Sequence, residues 1–165
     1  MKSIKYVLVI ALSLIALCVQ HIIHEYAHVL AALLFGERVS RIQWLTYHGG
    51  TRVFYENEPD LDSPNIDRKW ALISGAGFIS TIVLGYLFLF SYFLVENTWV
   101  KTGLCFFAII FLIVDSLYFA IGSIFDFGDI LGVRKTLNMS KQLSVFLSVT
   151  VFLVHCAVVH FSFYR

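Results

Sequence analysis

Three side chains in the stretch QHIIHEYAHVL, residues 20–30, have the types and spacing of a hydrolytic metal site. His24, Glu25 and His28 spell H-E-x-x-H, with Tyr26 and Ala27 between. On a helix, residues four apart lie on one face, one turn apart. Both imidazoles can then reach one tetrahedral Zn²⁺ at about 2.0–2.1 Å. Glu25 projects beside them, where a carboxylate can take a proton from a water held at the metal. His24 and His28 are candidate ligands and Glu25 the candidate general base. His21 shares the face, one turn before Glu25, and can bond either a ligand from behind or a neighbouring helix.

The elements that must position these groups are membrane spans. Of 165 residues, 59% are hydrophobic and 14% charged, whereas a soluble domain carries about 25% charge. Four apolar segments are long enough to cross a bilayer, which takes about 20 residues: Tyr6 to Phe35, Trp70 to Val95, Val100 to Ile124 and Leu143 to Phe163. Backbone groups have no water partners in lipid, so each span is expected to be a helix. Lys2 and Lys5 before an apolar run imitate a signal peptide. No small-x-small cleavage site follows, and "VLAALLF" resumes the apolar run, so one uncleaved span is expected. Glutamate and histidine are costly in hydrocarbon and seldom left without partners, which gives the motif weight. Cys18, Cys105 and Cys156 lie in apolar runs and match no thiolate metal site or disulfide framework. With a net charge of +1 and no basic tract, nothing points to nucleic acid.

Between the first two spans, "RVSRIQWLTYHGGTRVFYE" flanks Gly49-Gly50 with β-branched and aromatic residues and reads as a hairpin with a tight glycine turn beside His48. The fold expected is an all-α membrane protein, one domain over 1–165, with four transmembrane helices and a small β-hairpin in the first cytoplasmic loop. Orientation follows from charge. One side of a four-span chain carries Lys2, Lys5, Lys101 and Arg165; the other carries Arg38, Arg41, Arg52, Arg68, Lys69, Arg134, Lys135 and Lys141. The positive-inside rule puts the second side in the cytoplasm. Trp70 and Trp99 fall where aromatic belts sit, and Gly75, Gly77 and Gly85 suit close helix packing.

A catalytic zinc has three protein ligands and one open position. The third candidates are Asp115, Asp126 and Asp129, in or near the third span, which runs parallel to the first. His24 is 18 residues into its span (24 − 6), about 27 Å along the helix, and Asp115 is 15 past Val100, about 22 Å. Depth therefore favours Asp115. However, "IGSIFDFGDI" carries Gly122 and Gly128, which can break the helix and fold Asp126 and Asp129 back toward the site. Asp115 can also pair with His155 or a neighbouring hydroxyl. His155 and His160, five apart, lie on different faces.

An H-E-x-x-H on a first span, a glycine-bearing second span and an aspartate after a third resemble the site-2 protease family of intramembrane zinc metalloproteases. "SGAGFIST", residues 74–81, is similar to the family's A-G-P-x-x-N segment, with Phe78 for the proline and Thr81 for the asparagine. "YFAIGSIFDFGDIL", residues 118–131, is similar to N-x-x-P-x-x-x-x-D-G-G, with Tyr118 and Ile121 for the asparagine and proline. In that register Asp126 takes the ligand position; a shifted register puts Asp129 there. Ala27 stands where the family usually has glycine. The resemblance implies cleavage of membrane-embedded peptide bonds near the cytoplasmic face, as in regulated intramembrane proteolysis, with a transmembrane protein or peptide as substrate and the lipid bilayer as surroundings. It also implies a hairpin that holds the substrate extended. The alternatives from other classes are a membrane metal-binding or transport protein, and an inactive relative that binds membrane segments without cutting them.

Overall fold

Residues 2–44, 51–63 and 66–163 are described by a computed structural model. Its elements in chain order are α1 (Lys2–Leu34), β1 (Val39–Gln43), β2 (Arg52–Tyr55), α2 (Lys69–Leu94), α3 (Thr98–Phe125), α4 (Asp129–Thr136) and α5 (Lys141–Phe163). Four helices, α1, α2, α3 and α5, are long and apolar enough to cross a membrane, the make-up of a multi-pass membrane protein. The apolar part of α1, Val7–Leu34, has 28 residues; at a rise of about 1.5 Å each it outspans a hydrocarbon core of about 30 Å. Large apolar side chains such as Ile10, Leu30, Phe90 and Phe146 point outward, while Gln20, His24, Glu25, His28 and Asp115 are buried. That distribution suits a lipid solvent, where polar groups gather inside the bundle.

Helix α2 packs against α1, α3 and α4, and α3 against α2, α5 and α1. Asn97 starts α3, its side chain accepting from the backbone N–H of Trp99 (3.0 Å) and Val100 (3.2 Å). The end of α3 decides the site. Asp126 takes a left-handed conformation (φ 58°), and Phe127 N–H donates back to the Gly122 carbonyl at 3.0 Å. Gly128, at φ 68°, completes the reversal, and α4 starts at Asp129. Close packing fits the turn: a Cβ on Gly122 would meet the Phe127 carbonyl oxygen at 2.7 Å. The expected break therefore occurs, but at 126–128, with Gly122 still helical inside α3.

The hairpin pairs β1 and β2 antiparallel, with Arg41 opposite Phe54, Ile42 opposite Val53 and Gln43 opposite Arg52. An irregularity between Val39 and Arg41 leaves Ser40 free to bond the Phe54 carbonyl at 3.1 Å. The glycine turn and His48 lie outside the described residues. Trp70 departs from the expected interfacial position. It is buried with Ala32 and Ile73, and its indole meets the Tyr55 ring edge-on at 5.1 Å. It fixes the hairpin base to α1 and α2, whereas Trp99 is exposed as expected.

Candidate metal centre

His24 and His28 come from one face of α1, their ring centroids 5.0 Å apart. Each ring is fixed through Nδ1. His24 Nδ1–H donates to Asp115 Oδ2 of α3 at 2.9 Å, and His28 Nδ1–H donates to the Ile73 carbonyl of α2 at 2.7 Å. With both Nδ1 atoms so engaged, each ring turns its Nε2 toward the same place. Asp129 Oδ2, on the first residue of α4, lies 2.8 Å from His24 Nε2 and 3.3 Å from His28 Nε2. A cation among them, a proton or a metal ion, offsets the repulsion of three such close polar atoms. Neighbouring ligand atoms of a tetrahedral zinc are about 3.3 Å apart, given bonds of about 2.0–2.1 Å. The donor set of two imidazoles and a carboxylate thus fits zinc in kind, number and spacing.

Glycines make room for this cluster. A Cβ on Gly77 of α2 would meet the His24 ring at 2.5 Å, and one on Gly128 would run into the Tyr118 hydroxyl. Burial raises the Asp129 carboxyl, but the His28 and His24 imidazoles outweigh it and hold the group well below the usual carboxylate range. Burial pushes the Tyr55 phenol up, and the charges of Asp129 and Glu25 push it further.

Asp126 goes elsewhere. It bonds Arg134 at 2.9 Å and pairs with Lys141 at 2.8 Å, tying the end of α3 to the last turn of α4 and to α5. The Lys141 ammonium, followed by the Arg134 charge, holds its carboxyl below its ordinary value despite a smaller desolvation effect. Asp115 does touch the site, as its depth foretold, but through the far nitrogen of His24 and alongside Gln20 and Thr81. It meets a neighbouring hydroxyl as expected, not His155, which instead packs against Tyr86. His21 Nε2 bonds the Thr51 hydroxyl at 2.6 Å, and its Nδ1 stands 4.0 Å from Glu25 Oε1.

Glu25 is buried beside the histidines and opens on a cavity of about 1030 Å³. Its walls include Tyr55, Tyr118 and Asp129, with Arg52 and Phe54 of β2 at one side. The sequence matches the Peptidase M50B-like family over residues 3–164. The chain belongs to the M50B family. This is the site-2 protease family, whose members are zinc-dependent metallopeptidases. No match was found among curated proteins or solved structures. Against the M50B pattern, Thr81, where the family has asparagine, bonds Asp115, and Phe78, where it has proline, stacks on Phe119 at 3.9 Å.

Gln20 and the Ile73 carbonyl escaped sequence reasoning, while Gly77 makes the close helix packing expected of it and Thr81 supplies the hydroxyl beside Asp115. A signal existed for the contact of Asp115 with His24. Both lie ten residues before their helix ends (34 − 24 and 125 − 115) on parallel helices. The Ile73 carbonyl carries no sequence signal, since every residue has one.

Proposed function

We propose that this chain is an intramembrane zinc metalloprotease that cleaves membrane-embedded protein or peptide substrates near the cytoplasmic face. The observation that carries the reading is the convergence of His24 Nε2, His28 Nε2 and Asp129 Oδ2 beside Glu25, inside an otherwise apolar bundle. His24, His28 and Asp129 hold the metal. Asp126 has no part in it, since its oxygens serve Arg134 and Lys141. When bound, zinc supplies Lewis acidity at the scissile carbonyl.

Glu25 takes a proton from the attacking water and later delivers it to the leaving amine. Its burial keeps bulk water from competing for that proton, and its place one residue after His24 holds it beside the reacting carbon. Strand β2 orients the substrate. It pairs with β1 on one side only among the described residues, and its residues line the cavity. An extended peptide added along β2 would gain main-chain hydrogen bonds while its scissile bond lay over the histidines. Eight basic residues against four support a cytoplasmic position for this side of the bundle.

The test is cleavage in liposomes holding the purified chain and a panel of tagged single-span peptides, with fragments identified by mass. Zinc-loaded wild type should yield a fragment cut within the span, and Glu25→Gln should retain zinc but yield none. A Glu25→Gln protein cutting at the wild-type rate would remove Glu25 from the chemistry.

A further inference from the structure

We propose that Asp115 is the positioning residue of the metal centre. It sets the tautomer and orientation of His24 and so determines the affinity of the site for zinc. This rests on the metal-binding reading above but adds a residue that no H-E-x-x-H spacing implies.

Asp115 is buried in the interior of a membrane helix, where an isolated carboxylate is very costly. Its partners explain how it is tolerated. Oδ1 accepts from Gln20 Nε2 at 2.5 Å, and Oδ2 accepts from His24 Nδ1 at 2.9 Å and from the Thr81 hydroxyl. Gln20 and Thr81 are themselves buried. The three donors come from α1 and α2, so the carboxylate of α3 is fixed by two other helices. A carboxylate accepts and cannot donate once ionised. Nδ1 of His24 therefore carries a proton, and the lone pair this leaves for a metal ion is that of Nε2, beside Asp129.

The two histidines are held unequally. His28 leans on a neutral backbone carbonyl, and His24 on a full negative charge. A carboxylate partner raises the basicity of the imidazole it orients, and loss of such partners weakens metal binding by about 10–100-fold. Charge also balances: Asp115 and Asp129 together neutralise a divalent cation in a region of low dielectric. Gly77 presses on the other face of the His24 ring, so the ring is bounded by Asp115 at its edge and by α2 at its face.

The test measures zinc affinity by chelator competition in detergent for wild type, Asp115→Asn, Asp115→Ala, Thr81→Val and Ser116→Ala. Ser116 is the control: it is buried next to Asp115, but its hydroxyl bonds the Leu112 carbonyl of its own helix. Zinc affinity should fall about 10–100-fold in Asp115→Ala. It should fall less in Asp115→Asn, whose amide oxygen still accepts from Nδ1, and a few-fold in Thr81→Val. Ser116→Ala should bind as wild type does. Melting of the metal-free proteins, followed by circular dichroism, separates folding from positioning. Affinity losses that merely follow lost stability, or unchanged affinity in Asp115→Ala, overturn the proposal. A second readout needs no metal. In ¹⁵N-histidine spectra of metal-free wild type, Nδ1 of His24 should carry a hydrogen-bonded proton, and Asp115→Ala should lose that signal in whole or in part. If no protein binds zinc, the metal reading falls, and the state of Nδ1 still decides the role of Asp115. The same Nδ1 signal in both proteins overturns it.

Discussion

Gly77→Ala offers a sharp perturbation of the metal centre, because its effect can be worked out before any measurement. The added Cβ would lie 2.5 Å from His24 Cδ2 and Nε2 and 2.7 Å from Cε1. Carbon atoms rest at about 3.5–4.0 Å, so the ring or the helix must yield by about 1 Å. His24 cannot yield freely, since its Nδ1 is bonded to Asp115 at 2.9 Å and its Nε2 faces Asp129 at 2.8 Å. A shift of that size away from α2 lengthens and misaligns both contacts. Overpacking of this kind costs about 1–3 kcal/mol. Expressed in the metal-bound form, that is a loss of about 5- to 150-fold in zinc affinity. Gly75→Ala, two residues earlier on α2, is the matched control. Its Cβ would meet Val133 Cγ2 at 3.6 Å and Ile79 Cδ1 at 3.8 Å, ordinary contacts. Both substitutions gain about 1 kcal/mol of helix propensity, so the difference between them isolates the clash. Chelator competition on both purified variants measures it. Equal zinc affinity in Gly77→Ala and Gly75→Ala would refute the packing of His24 against α2.

Other perturbations separate the site from the scaffold. Gly128→Ala should lose zinc and about 1–3 kcal/mol of stability, since φ is 68° there and the new Cβ meets Tyr118 Cζ at 2.8 Å; thermal melting and metal analysis read the two effects. Gly85→Ala should lose a similar amount of stability, because its Cβ meets Leu112 at 2.8 Å, but zinc affinity should be unchanged. Asp126 has its carboxyl held below the ordinary value of 3.8, so its pairing with Lys141 and Arg134 stabilises the fold above that pH and is lost as pH falls through the lower folded value. Melting temperatures of wild type and Asp126→Asn, taken in chelator, should therefore differ near neutrality and converge in acid; a gap that widens in acid would contradict the pairing.

The four spans were legible because the bilayer imposes a length and an apolar composition that few other segments meet. The histidine pair of the candidate site was legible because four-residue spacing on a helix leaves one geometric outcome. The third acid was not. Asp126 and Asp129 are three residues apart, and what separates them is the left-handed Asp126 that ends α3. A non-glycine residue at positive φ gives little warning in sequence, and Gly122, which suggested an earlier break, stays helical. Helix α4 was hidden for a related reason. It has eight residues and carries Gly132 in its interior, which lowers helix propensity. The glycine is there because Ser74 of α2 occupies the space a side chain would need. Such reasons lie in tertiary packing and leave no local periodicity.

The most direct measurement is the zinc content of purified wild type, His24→Ala, Asp126→Ala and Asp129→Ala. One zinc per chain should be found in wild type and in Asp126→Ala, and little in His24→Ala and Asp129→Ala. Zinc retained in Asp129→Ala and lost in Asp126→Ala, or absent from wild type, would contradict a metal held by His24, His28 and Asp129.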